Sequence, residues 1–216
     1  MTPYYSEKGI VIYNADCRQV LPSLSAALVC TDPPYNCGKD YGTWDDDLPV
    51  AEYQSIMREV VDYSLIAAPN QAWVAPRYQL RFWMGVLPKS HLITIRRGAR
   101  GPYRGGWSDQ FEIALAIGKP NYAECDLWDD IRLKGEGYFF REQTFDHPGY
   151  TPYLIGKRFI SLLSSPGETI IEPFAGTGTF LRAAKDLGRK AIGIEIEERY
   201  CEIAANRLRQ EVLQFA

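Results

Sequence analysis

The feature that most constrains this chain is a repeated switch between two hydrophobic periods. Short runs of β-branched and aliphatic residues recur at Gly9–Asn14, Ala26–Thr31, Gln71–Ala75, His91–Ile95, Phe111–Ile117, Thr169–Ile171 and Lys190–Ile194. Among them, Ala51–Ala67, Pro152–Ser164, Gly178–Leu187 and Glu197–Gln214 place apolar residues three and four apart, as Ile56, Met57, Val60, Val61 and Leu65 do in the first. Shorter helical stretches fall near Arg18–Leu24 and Tyr78–Val86. Parallel strands need long crossovers, and helices supply them, so the alternation implies βαβ units. The expected fold is α/β: a seven-stranded, mostly parallel sheet with helices on both faces.

Length and composition set the outer bounds. The 216 residues are 46% hydrophobic and 24% charged, which excludes a disordered or fibrous chain and suits a single domain over 1–216. The longest stretch without a formal charge, Tyr63–Pro76, contains Pro69 and falls short of the ~18 residues a spanning helix needs, so no membrane partner is expected. The opening MTPYYSEKGIVIYNADC has no basic leader and no secretory apolar run, which makes the cytoplasm the expected compartment. Cys17, Cys30, Cys37, Cys125 and Cys201 show no paired metal-ligand spacing; no metal is expected, and the thiols are read as reduced. A net charge of −3 is not that of an obvious nucleic-acid binder, but a mean conceals its distribution.

The sharpest local signal is Asp32-Pro33-Pro34-Tyr35, directly after the run Ala26–Thr31. Two prolines remove two backbone donors and fix two φ angles, so the chain leaves the strand on a rigid path. A carboxylate, bare carbonyls and an aromatic ring then stand at the carboxyl end of a strand, where open α/β sheets bind ligands. The set suits a planar base with an amino group: Asp32 and the Pro33 carbonyl each accept one N–H, and Tyr35 stacks on the ring. The other reading is a strand-ending turn.

A second signal is Phe174-Ala175-Gly176-Thr177-Gly178-Thr179, between the strand at Thr169–Ile171 and the following helix. Glycines at such a turn permit positive φ and close ligand approach, and the helix start offers N–H groups. Leu181 stands where a dinucleotide fingerprint would carry its third glycine, which argues against NAD. Glu195, 19 residues after Gly176 at the next strand end, is placed to accept from ribose hydroxyls. A tight turn without a ligand is the alternative for the glycines alone.

Together these stretches resemble the circularly permuted, or beta, group of DNA amino-methyltransferases, which use S-adenosylmethionine. The likeness covers most of the chain: Asn14-Ala15-Asp16, TDPPYNCGKDYGTWDDD, Asp109–Ile117, His147-Pro148, EPFAGTGTF and IGIEIEERYCEIAANRL. It implies a class I (Rossmann-like) methyltransferase fold in which Phe174, Ala175, Gly176, Thr177, Gly178 and Thr179 bind the methionine end of the cofactor, Glu195 the ribose and Asp16 the adenine. Asp32, Pro33, Pro34 and Tyr35 are then the catalytic elements. One departure is Thr151 before Pro152, where the family usually has lysine. The permutation implies that the C-terminal helix and the N-terminal strand are neighbours in space.

The resemblance also gives the basic stretch a use. Arg96, Arg97, Arg100 and Arg104 lie in a glycine-rich segment with no acidic residue between Lys89 and Ser108. Arginine suits phosphates and guanine edges, so these four are the expected DNA-binding residues, within a target-recognition insertion at 96–148. A solvated loop is the other reading of the same residues, as a polar turn is for the acidic run Asp40–Asp47 that would otherwise order over the base pocket. The expected reaction is site-specific methylation of the adenine amino group in double-stranded DNA. Cytosine methylation or a non-catalytic S-adenosylmethionine-binding module are the alternatives. A homodimer is compatible with the sequence, which names no partner restriction nuclease.

Overall fold

The computed structural model describes residues 1–96, 111–129, 149 and 151–210. All seven expected strands form: β2 (Ile10–Asn14), β3 (Leu28–Thr31), β4 (Asn70–Ala75), β5 (His91–Arg96), β6 (Phe111–Ile117), β8 (Thr169–Glu172) and β9 (Lys190–Glu195). Two short ones, β1 (Tyr5–Glu7) and β7 (Leu127–Trp128), extend the sheet to nine strands among the described residues, in the order β1-β2-β9-β8-β3-β4-β6-β5-β7. The expectation of seven mostly parallel strands is therefore corrected to nine in a mixed sheet. The five strands β2-β9-β8-β3-β4 are parallel neighbours, whereas β6 is antiparallel to both β4 and β5 and β1 is antiparallel to β2. Strands of three and two residues are too short to show a period, which is why they were not legible.

Helices α1 (Cys17–Val20), α2 (Val50–Ala67) and α3 (Leu80–Val86) cover one face; α4 (Tyr153–Leu163), α5 (Thr179–Asp186) and α6 (Glu198–Arg209) cover the other. Side-chain alternation in the strands divides the core in two. Leu28 and Cys30 of β3 and Ala72 and Val74 of β4 pack with α4, while Val29, Trp73 and Ala75 pack with α2 and α3. The crossover helix after β3 lies on the opposite face from the one after β8, although the two strands are adjacent. The chain thus diverges between β3 and β8, and their carboxyl ends open a crevice of the kind that holds ligands in open α/β sheets.

Within 96–148, Phe111–Ile117 is a sheet strand with Ile113 and Leu115 buried. Arg96 is exposed at the end of β5. Arg97, Arg100, Arg104 and His147 lie outside the described residues.

Candidate active site

Asp32 leaves β3, whose four residues are all buried, at the mouth of the crevice. Its rigid exit is pinned from behind. The Tyr53 hydroxyl donates to the Pro34 carbonyl at 2.9 Å, and the Tyr35 carbonyl accepts from the Tyr78 hydroxyl at 2.6 Å and from Gln79 Nε2 at 3.0 Å. No described side chain donates to the Pro33 carbonyl. The Asp32 carboxylate accepts from the Thr151 hydroxyl. Tyr53, Tyr78 and Gln79 belong to no motif, and Thr151 stands out only as a departure from the family's usual lysine, so sequence reasoning missed all four as supports.

Across the crevice, β8 ends at Glu172 and the chain turns through Gly176 (φ 49°) and Gly178 (φ 78°) into α5. Both glycines sit in the left-handed region that side chains disfavour. The turn is held by Glu195 at the end of β9: its Oε2 accepts from the Gly176 N–H at 2.7 Å and its Oε1 from the Glu197 N–H at 2.9 Å. Burial raises the Glu195 pKa above the ordinary carboxylate value, and these backbone donors oppose the shift. Arg207 of α6 closes the turn from outside, donating to the Thr177 carbonyl at 2.5 Å and hydroxyl at 3.0 Å. Asn14 Nδ2 donates to the carbonyls of Glu195 and Ile196, both at 3.0 Å, and so locks β2 beside this strand end.

Asp16 caps α1, accepting from the Arg18 N–H at 2.9 Å and pairing with the Arg18 guanidinium. Burial opposes its ionisation, but the hydrogen bonds and charge of Arg18 hold its pKa below the ordinary value.

The loop 36–48 forms the remaining wall. Asp46 is 2% exposed and gathers the N–H groups of Asn36, Cys37 and Lys39 at 2.8, 3.0 and 3.1 Å. Glu197 at the start of α6 accepts from the Thr43 N–H and hydroxyl at 3.0 and 2.8 Å, which ties the loop to the far side of the crevice. Lys39 lies 5.6 Å from the centre of the Tyr35 ring. The acidic run is thus an ordered wall built around a buried carboxylate, with Lys39, Tyr41 and Trp44 on the cleft side.

Asp16, Asp32, Pro33, Pro34, Tyr35, Phe174, Gly176 and Glu195 all line this one cleft. Ala175, Thr177 and Thr179 line a smaller hollow that continues it beside Asp32, Thr151 and Glu172. Gly178 lines neither; a Cβ there would come within 2.9 Å of Ala204 Cβ, so its lack of a side chain serves the packing of the turn on α6.

A family model described as DNA methylase matches residues 117–206. The type II methyltransferase M2.LlaDCHI of Lactococcus lactis subsp. cremoris is 42% identical over 252 residues, covering 95% of this chain and 91% of the relative. The chain belongs to the DNA methylase family. It is a site-specific DNA methyltransferase that uses S-adenosylmethionine. This DNA methylase is also similar, at 25% identity over 96% of its length and 85% of the relative, to the DNA adenine methyltransferase YhdJ of Escherichia coli (strain K12). Its fold matches the solved M1.HpyAVI–SAM complex (TM-score 0.69, 22% identity, 92% of this chain and 98% of that one). It likewise matches the PvuII cytosine-N4-specific methyltransferase (TM-score 0.68, 16% identity, 99% and 90%).

Proposed function

We propose that this DNA methyltransferase modifies the exocyclic amino group of adenine, with Asp32, Pro33, Pro34 and Tyr35 as its reaction surface. The observation that carries the proposal is that the Asp32–Tyr35 segment and the Gly176–Glu195 turn, distant in sequence, open into one cleft. The donor set of the cleft fits S-adenosylmethionine. Each Glu195 oxygen accepts one backbone N–H and retains a lone pair for a ribose hydroxyl. Gly176 presents bare backbone to the cleft, and the hollow lined by Ala175, Thr177 and Thr179 takes the methionine end, with Phe174 beside it and Gly178 shaping the turn. Asp16 lines the cleft outside that hollow and is the proposed contact for the adenine moiety; since it already pairs with Arg18, its role there is to fix the local backbone as well as to face the ring. When bound, the cofactor supplies an electrophilic sulfonium methyl group.

The chain's own residues prepare the nucleophile. An aromatic amino nitrogen attacks poorly because its lone pair is delocalised into the ring. Acceptance of its two N–H groups by Asp32 and by the Pro33 carbonyl favours a pyramidal nitrogen, and the pinned carbonyls of Pro34 and Tyr35 hold that geometry rigid. In duplex DNA the amino group is paired, so the base must leave the stack at a cost of a few kcal/mol, and the Tyr35 ring receives it. The resemblance favours adenine, because the tetrapeptide begins with Asp and family members with Ser there more often act on cytosine. Arg96, Arg97, Arg100 and Arg104 are the proposed contacts to the DNA backbone, and the permuted order of the motifs is supported by β2 lying parallel to β9.

The test pairs two measurements on the Asp32→Ala variant. Loss of a charge-assisted hydrogen bond, ~1.5–3 kcal/mol, lowers methyl transfer about tenfold or more, while calorimetric S-adenosylmethionine affinity is retained. Analysis of nucleosides from methylated DNA identifies the base: N4-methylcytosine in place of N6-methyladenine would overturn the adenine assignment.

A further inference from the structure

Thr151 meets Asp32 across 119 positions of sequence, and both ends of that contact are on rigid supports. Asp32 follows directly on the buried β3. Thr151 precedes Pro152, whose carbonyl accepts from the Ile155 N–H at 3.0 Å at the start of α4. That helix packs against β3 and buries Ile155, Phe159 and Ile160. On its other side the segment abuts the cleft wall, since a Cβ on Gly149 would come within 2.9 Å of the Tyr41 hydroxyl. The Thr151 hydroxyl is therefore aimed, and it donates to Asp32 Oδ2 from within the same pair of hollows that hold the reaction surface.

We propose that Thr151 is a positioning residue for the methyl transfer: its hydroxyl fixes the plane of the Asp32 carboxylate so that the carboxylate meets the amino group of the target base. A carboxylate at the end of a strand turns freely about χ2, which is broad for sp³–sp² torsions. A donor held by a distant part of the chain restricts that freedom. An oxygen that accepts one hydrogen bond keeps a lone pair for a second, so the contact orients Asp32 without consuming it. A hydroxyl is also neutral, so it sets direction without cancelling the negative charge that draws the amino protons. The inference rests on the assignment of Asp32 to the amino group.

Three variants decide it: Thr151→Val, isosteric and lacking only the hydroxyl, with Thr151→Ala and Thr151→Ser. Single-turnover methylation of duplex DNA is measured beside calorimetric affinity for S-adenosylmethionine and affinity for DNA. The valine and alanine variants are expected to lose about tenfold or more in methylation rate, with both affinities within about twofold of wild type, and serine to restore the rate to within about threefold. A valine variant as fast as wild type, a serine variant as slow as valine, or a loss confined to cofactor affinity overturns the proposal. Should alanine fail to fold, valine and serine carry the decision. The methylated base made by the wild-type enzyme is identified separately, so an error in the adenine assignment shows there and leaves the comparison of variants intact.

Discussion

Glu172 buries a carboxyl beneath the smaller hollow: it is 3% exposed, and Thr31 Oγ1 donates to it from β3 at 2.6 Å. Desolvation pushes its pKa well above the ordinary carboxylate value; the Thr31 hydroxyl and the Phe174 N–H oppose the shift, and the charges of Asp32 and Glu195 add to it. The sign of the linkage follows. Above the unfolded value of ~4.3, the folded state holds a proton that the unfolded state has lost, so this residue costs stability as pH rises toward its folded pKa. Glu172→Gln keeps an acceptor for Thr31 and removes that cost. The melting temperature of the variant minus that of wild type should grow as pH rises above the ordinary carboxylate range, measured without cofactor. A difference that stays flat with pH means that Glu172 does not carry the proton.

At the scale of elements, the crossing of α4 and α5 depends on one missing side chain. Gly156 is buried inside α4, where helix propensity alone argues for alanine by about 1 kcal/mol. A Cβ there would overlap the ring of Phe180, which is itself 4% exposed and has little room to move. Overpacking of a filled core costs roughly 1–3 kcal/mol, so the steric loss outweighs the propensity gain. Gly156→Ala should therefore lower the melting temperature, read by circular dichroism; a rise would show that propensity governs the position.

The whole molecule carries a net charge of −3, yet its substrate is a polyanion. Attraction must then be local. Neutralising Arg96, Arg97, Arg100 and Arg104 should weaken DNA binding and flatten its salt dependence, because each phosphate contact contributes about −0.9 to the slope of log affinity against log salt. Affinity for S-adenosylmethionine should stay unchanged, since Arg96 lies at the end of β5 and outside the cleft lining. If the quadruple variant keeps the wild-type slope, the DNA surface lies elsewhere, with the Arg132–Arg141 stretch as the next candidate.

The sequence by itself determined the seven longer strands, the four longer helices and the two motifs that meet at the cleft, because those features are local. A period of two or of 3.6 is written in neighbouring residues, and the tetrapeptide Asp32–Tyr35 and the Phe174–Thr179 turn each carry their constraint in a few positions. Tertiary structure decided what depends on residues far apart. It added β1 and β7, too short to show a period, and made the sheet mixed by setting β6 antiparallel to β4 and β5. It turned the acidic run into an ordered wall, because Asp46 gathers backbone donors that only a closed loop brings within reach. It also brought Tyr53, Tyr78 and Thr151 to the Asp32–Tyr35 segment from three distant parts of the chain. A hydroxyl is a donor anywhere in a chain, and only packing decides which carboxylate or carbonyl it faces.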